Sequence, residues 1–412
     1  MKICGIVAEY NPFHNGHKYQ IEEIKKKTNC DAIVAIMSGN FMQRGVPASF
    51  DKWARTKMAI KNGVDVVIEL PTIYATASAE YFASGAVSIL NSLNSIDYIS
   101  FGVNNDNLEI LQKISDVLIN EPQQYKEAFQ KELKNGLSFP VARSKCLKNF
   151  FKDEIDSSLL EEVLIDSNNI LGIEYLKALK TLNSKIQPIL IKRNGPSYNS
   201  TEIDGMYCSS TAIREALNSH NINQIKPTVP SNTLKIIENE INLGKTPMNL
   251  SNYEKEILYV LRKISAYSIS QLSDVNEGLE NVIKKSIQEN YSIEDLIDAI
   301  KSKRYTRTRI QRILLHALLN INESYLKKNK FTPQYARVLG VSKYGKKVLS
   351  ELSKNASIPV FTQVSNFVKK ATDDQIEMLN LDIEASNTYS LGYEIPNHRL
   401  YNQDFTTKII EG

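Results

Sequence analysis

The feature that most constrains this chain is a rhythm in its first half. Short β-branched runs alternate there with stretches of helical periodicity. The runs are "KICGIVAE" (2–9), "DAIVAIM" (31–37), "VDVVIEL" (64–70), "IDYISFGV" (96–103) and "IQPILIKR" (186–193). Helix-like segments separate them at 17–28, 49–62 and 78–94, followed by a longer helical stretch over roughly 107–180. Near-continuous apolar strands joined through helices need a parallel sheet covered on both faces. Gly63 after Asn62 supplies a helix stop before the third strand.

After about residue 216 the strand runs largely disappear. "KPTVPSNT" (226–233) and "GKTPMNLSN" (244–252) read as connections, and the pattern from Tyr253 onward is mostly helical. A chain of 412 residues exceeds one growing core. The expected architecture is therefore α/β: a Rossmann-like parallel-sheet domain over 1–220, with a helical insertion at about 107–165, then a mainly helical, basic domain over 221–412.

The basic character is local. Between Lys301 and Lys347 thirteen lysines and arginines stand against one acid, Glu323, while the whole chain carries only +4. Such asymmetry points to a polyanion, and we expect RNA rather than DNA. Arg304, Arg307, Arg309, Arg312, Arg337, Lys343, Lys346 and Lys347 are the candidate contacts, with Tyr305, Tyr335 and Tyr344 placed to stack on unpaired bases. Ile310, Ile313, Leu314, Ala317 and Leu318 form a core stripe, which leaves Arg309, Arg312 and His316 on another face. The four cysteines are far apart and no Cys/His cluster has metal-ligand spacing, so free thiols and no protein metal site are expected. No apolar run approaches the ~18 residues of a membrane span, and the start lacks a secretory pattern. A cytoplasmic location follows as an expectation.

The chemistry concentrates in "EYNPFHNGHKY" (9–19), where the first strand turns into a helix. In parallel sheets ligands bind at that end. Pro12 ends the strand, Gly16 permits close approach of backbone, and the helix start offers N–H groups and a positive dipole end to phosphate. His14 and His17, three apart, share a face above that anion site. They can donate hydrogen bonds, and a protonated imidazole would add charge as a phosphoryl transition state builds. Neither GxGxxG nor GxxxxGK[ST] is present. A second cluster, "YCSSTAIREAL" (207–217), places Ser209, Ser210 and Thr211 at a helix start with Arg214 one turn in. It reads either as an N-cap or as a pyrophosphate grip.

"HNGH" and "SSTAIR" together resemble the signatures of the H-x-G-H nucleotidyltransferase superfamily. "GIVAEYNPFHNGH", "IMSGNFMQRGVPASFDKWARTKMAI", "GVDVVIELPT" and "NNILGIEYLKAL" narrow the likeness to the bacterial tRNA(Met) cytidine acetate ligase family, over essentially the whole chain. The resemblance implies an enzyme that adenylates acetate with ATP and transfers acetyl to N4 of the wobble cytidine of elongator tRNA(Met), with Mg²⁺ accompanying the ATP. It implies an ATP site lined by Val7, Ala8, Glu9, Tyr10, Asn11, Pro12, Phe13, His14, Asn15, Gly16, His17, Lys18, Tyr19 and Gln20, with Gly102, Arg193 and an asparagine that is either Asn168 or Asn169. Gly102 also reads as a strand-ending turn, and Arg193 as a surface residue. Gln43 and Arg44, in the loop after the second strand, are the candidate acetate contacts. Two other readings remain: an adenylyltransferase acting on a small acceptor, and an RNA-binding protein with a vestigial nucleotide fold.

Overall fold

The structure is a computed structural model that describes residues 1–194, 203, 205–245, 247–276 and 278–412. All five expected strands form: β1 (Ile3–Ala8), β2 (Ala32–Ser38), β3 (Val66–Leu70), β4 (Tyr98–Val103) and β5 (Gln187–Lys192). They pair in parallel in the order β5-β4-β1-β2-β3, in register Ile3↔Ala32, Cys4↔Tyr98 and Tyr98↔Gln187 among others. The order reverses between β1 and β4, so the carboxyl ends of these two strands open a crevice.

Helices cover both faces, which explains why β2 and β3 are buried at every residue and why no polar alternation marks them in the sequence. Asn15–Thr28 and Lys52–Lys61 pack with one core cluster, and Ala79–Ser92 and Ser167–Thr181 with the other. Lys52–Lys61 starts where Asp51 accepts from the Ala54 N–H at 2.8 Å, a side-chain cap. The expected insertion forms four helices, Leu108–Asn120, Gln123–Lys134, Phe139–Phe150 and Ser157–Ile165.

The second half is mainly helical, as its periodicity requires, but it also contributes to the sheet. "ARVLGV" forms β6 (Ala336–Val341), antiparallel to β3 with Val66↔Val341 and Val67↔Gly340. β7 (Val360–Phe361) and β8 (Ile410–Glu411) both pair with β6. The connection at 226–233 runs into the helix Ser231–Asn242, and Thr246, within the expected connection 244–252, lies outside the described residues. In the basic helix Arg307–Leu319 the core stripe appears as expected, with Ile310, Ile313, Leu314 and Ala317 buried.

Arg337 corrects one expectation. It sits at the second position of β6, 2 % exposed, and pairs with Asp404 and with Glu69 on β3, which also holds the fully buried Lys52 at 2.8 Å. A guanidinium in that position ties two halves of the sheet together and cannot reach a phosphate. Tyr335 and His316 are likewise fully buried, which removes them from any RNA-facing set. Tyr335 donates to Asp382 at 2.6 Å, and the His316 Nε2 lies 3.1 Å from the Thr76 hydroxyl.

Candidate active site

The turn after β1 builds the site. Helix Asn15–Thr28 is capped by two histidines that reciprocate: the Gly16 N–H donates to His14 Nδ1 at 3.0 Å, and the His14 N–H donates to His17 Nδ1 at 3.1 Å. Because each Nδ1 is an acceptor, each neutral ring carries its proton on Nε2. The His14 Nε2–H reaches Ser210 Oγ at 3.0 Å. The rings stack with centroids 3.8 Å apart. This cap explains Gly16 more closely than a ligand does, since a Cβ there would stand 2.8 Å from His14 Cε1.

Two expectations change here. Burial first, then the nearby Arg193 and Arg214, hold the His14 imidazole down to about 3. Burial, His14 and Arg193 hold His17 well below its ordinary range. Both rings are therefore neutral hydrogen-bond donors rather than imidazolium ions. The helix start also has no spare N–H in its first turn. Asn15 N–H goes to Thr228 O at 3.0 Å, Gly16 N–H to His14 Nδ1, and the His17 and Lys18 N–H groups to His14 O at 2.9 and 3.2 Å. The dipole end remains, and side chains have to make the contacts.

They converge on a cleft of about 230 Å³ at the carboxyl ends of β1, β4 and β5. Of the residues the sequence singles out, Val7, Ala8, Glu9, Tyr10, Asn11, His14, Gly16, His17, Tyr19, Gln20, Gln43, Arg44, Gly102, Asn168, Arg193, Ser210 and Arg214 line it. Arg193 donates to Asn168 Oδ1 at 3.0 Å, and Arg214 to Asn11 O at 3.2 Å and Thr211 Oγ1 at 3.1 Å. The Gln43 N–H donates to Glu9 Oε1 at 2.8 Å, which fixes the second loop against the first.

The structure places other candidates elsewhere. Phe13 is fully buried, and Asn15 is spent on Met206 O and Pro227 O at 3.1 and 2.9 Å; Pro12 and Lys18 also lie off the cleft lining. Asn169 is buried against Asn104, accepting its N–H at 3.2 Å, and of the two asparagines Asn168 is the one that lines the cleft. The Nδ2 atoms of Asn168 and Asn169 are both buried without a hydrogen-bond partner among the described residues. Ser209 is the N-cap, accepting from the Ala212 N–H at 3.0 Å, so the cap reading holds for that hydroxyl, while Thr211 accepts from Arg214 and Ser210 faces the cleft.

Sequence reasoning missed the apolar wall of the cleft, Phe82, Phe101, Leu171 and Tyr175. Leu171 and Tyr175 follow Asn168 at i+3 and i+7 on one helix, a spacing that marks a shared face. Phe82 carries no comparable signal. Among the described residues no group of three or more His, Cys, Asp or Glu side chains is gathered to hold a metal ion.

On the basic surface many charges are already committed. Arg307 pairs with Glu294 and Asp298, Arg312 with Asp274 at 2.6 Å, and Lys346 with Glu411 at 2.8 Å. Arg309 donates to Asp274 O at 2.9 Å and lies over the Tyr305 ring. Lys301, Lys303, Lys343 and Lys347 are exposed and have no ion pair among the described residues.

Comparison with known proteins agrees across the full length. The HIGH Nucleotidyl Transferase family matches residues 1–404. The tRNA(Met) cytidine acetate ligase of Caldanaerobacter subterraneus subsp. tengcongensis is 46 % identical over 411 residues, covering 100 % of both chains. That of Clostridium perfringens (strain ATCC 13124) is 42 % identical over 95 % of both. Crystal structures of Thermotoga maritima TmcAL superpose with TM-scores of 0.96 for an apo form, covering 99 % of it, and 0.94 for a form bound with alpha-thio ATP, covering 100 % of it. Each covers 100 % of this chain at 33 % identity.

Proposed function

The chain belongs to the HIGH nucleotidyl transferase family and, within it, to the tRNA(Met) cytidine acetate ligases, and from that premise we propose that it activates acetate with ATP and acetylates N4 of the wobble cytidine of elongator tRNA(Met). One observation carries the chemistry: two neutral imidazoles, the His14 Nε2–H on Ser210, line one cleft with Arg193 and Arg214 at the reversal point of a parallel sheet.

In the first step an acetate oxygen attacks the α-phosphorus of ATP, the bond to the bridging oxygen breaks, and pyrophosphate departs with acetyl-adenylate left behind. Charge grows on the departing oxygens. His17, His14 with Ser210, Arg193 and Arg214 can stabilise it as preorganised donors in a partly dry site. Mg²⁺ would travel with the triphosphate oxygens and neutralise part of that charge. Asn168, oriented by Arg193, is the proposed nucleotide contact, and Gly102 with the apolar wall gives the adenosine a surface. In the second step the cytidine N4 attacks the acetyl carbonyl, the N–C bond forms, AMP leaves, and the amine proton is lost. The Gln43–Arg44 loop is the proposed carboxylate side. The division of labour between 1–220 for ATP and 221–412 for tRNA, and a cytoplasmic setting, belong to the same proposal; no helix among the described residues is long and apolar enough to cross a membrane.

The test is pyrophosphate release from ATP and Mg²⁺ with acetate, beside formate and propionate, with and without bulk tRNA. Acetate-dependent release with acetyl label in tRNA cytidine is expected. Release that ignores carboxylates would turn the assignment toward a small-acceptor adenylyltransferase.

A further inference from the structure

The loop carrying Gln43 and Arg44 projects from the carboxyl end of β2, and besides the Gln43–Glu9 bond it is supported from the other half of the chain. At its base, Phe41 bridges to Pro47 and is buried against Tyr253 and Tyr389, with ring centroids 5.8 and 5.9 Å away. Tyr389 also donates to Ala48 O at 2.9 Å. At its tip, the Met42 N–H donates to Val46 O and the Gly45 N–H to Met42 O, both at 2.9 Å, closing a tight turn.

Gly45 has φ +74°, and it lies directly on the basic helix Arg307–Leu319. A Cβ at this position would fall on Arg312 N and Gln311 C and stand 2.7 Å from Arg312 Cα. The obstacle is helix backbone, which cannot turn aside as a flexible side chain could. That helix is itself anchored beside the cleft by His316, whose Nε2 lies 3.0 Å from Thr76 O, and by Arg312 held to Asp274.

We propose that Gly45 is a positioning residue for the carboxylate side of the reaction: it seats the Met42–Val46 turn on the backbone of the basic helix and thereby sets Gln43 and Arg44 at the cleft. This rests on the acetate-activating reading. The ATP side is built from β1, β4, β5 and the Ser210–Asn218 helix, elements outside the seat, and the turn touches it through the Gln43 N–H on Glu9 Oε1. Displacing the turn therefore separates the two substrates.

Gly45→Ala tests this beside Gly136→Ala. Gly136 has φ +85° with nothing within 4 Å of its notional Cβ, so it reproduces the backbone strain without the collision. Two quantities are measured on the full chain: affinity for ATP by calorimetry, and KM for acetate in pyrophosphate release. Gly45→Ala should raise the acetate KM at least tenfold while ATP affinity stays within about twofold of the parent, and Gly136→Ala should change neither. Equal behaviour of the two variants, or parallel loss of ATP and acetate, overturns the proposal. A parent without acetate-dependent release sinks the functional reading instead, and the seat is then judged by hydrogen exchange. In the parent the Met42 and Gly45 amides should open together with Leu314 of the basic helix. Exchange of those two amides at loop rates while Leu314 stays protected overturns the seat, and the same measurement decides if Gly45→Ala does not accumulate folded.

Discussion

At the residue scale, the paired histidines are both a cap and a tool. Each Nδ1 is occupied by a backbone N–H, and that sets each tautomer with its proton on Nε2, which on His14 meets Ser210 Oγ. Replacing either by Ala should lower pyrophosphate release by about 10²–10³-fold, the usual cost of a preorganised donor. Since burial holds both rings far below neutrality, kcat/KM of the free enzyme should show no imidazole limb between pH 6 and 8; a limb near 6.5 that disappears in His14→Ala would contradict the neutral-donor assignment. Asn168→Ala should weaken ATP binding with little change in Tm. Asn169→Ala should instead cost roughly 1 kcal/mol of stability, because it removes from a buried side chain the acceptor of the half-buried Asn104 N–H. The sequence made "HNGH" legible as a site because Gly and two His at a strand-to-helix turn are hard to explain otherwise. It could not show that the rings bond to their own backbone, since that depends on the turn's dihedral angles, including Tyr10 at φ 45°.

At the element scale, β6 shows where local pattern gives out. Its apolar run is short, sits in a basic helical context and has Arg337 at its second position, and its partner β3 is hundreds of residues away in the chain. Only the tertiary pairing reveals that Arg337 faces Glu69, Lys52 and Asp404 inside the molecule. Arg337→Leu should therefore cost on the order of 3–5 kcal/mol, the penalty for leaving partner charges buried and unmatched. Thermal unfolding reads this directly, and the salt dependence of RNA binding should not change. The basic helix gives a second case. Its core stripe was legible from spacing alone, but His316 packs against Thr76 and is driven down to about 4 by burial. The unfolded chain takes up a proton on this histidine near pH 6.5, and the folded one does so only near 4. The unfolded state thus binds more protons between those values, and stability present above pH 6.5 is lost as pH falls through the window. His316→Gln should flatten part of that loss in a Tm-against-pH series.

At the scale of the whole molecule, the charge excess of 301–347 is smaller than it looks in the sequence, because Arg307, Arg312, Lys328, Arg337 and Lys346 are neutralised by acids from other segments. The lysines left exposed, Lys301, Lys303, Lys343 and Lys347, are the better candidates for RNA phosphates. Reversing Lys343 and Lys347 to Glu should weaken tRNA binding and lower the slope of log K against log salt by about 1 per lost contact. An unchanged slope would move the RNA surface elsewhere. Reversing Arg309 and Arg312 would not discriminate, since both hold the Asp274 turn.

The pairing of β3 with β6 has a consequence for synthesis. Ribosomes emit β3 early, and its outer edge has no neighbour until residues 336–341 emerge. At roughly 5–20 residues per second that edge waits on the order of ten seconds or more, a nascent strand open to the wrong partners. Chains released prematurely between Arg214 and Ala336 would carry every residue of the nucleotide cleft on an unfinished sheet.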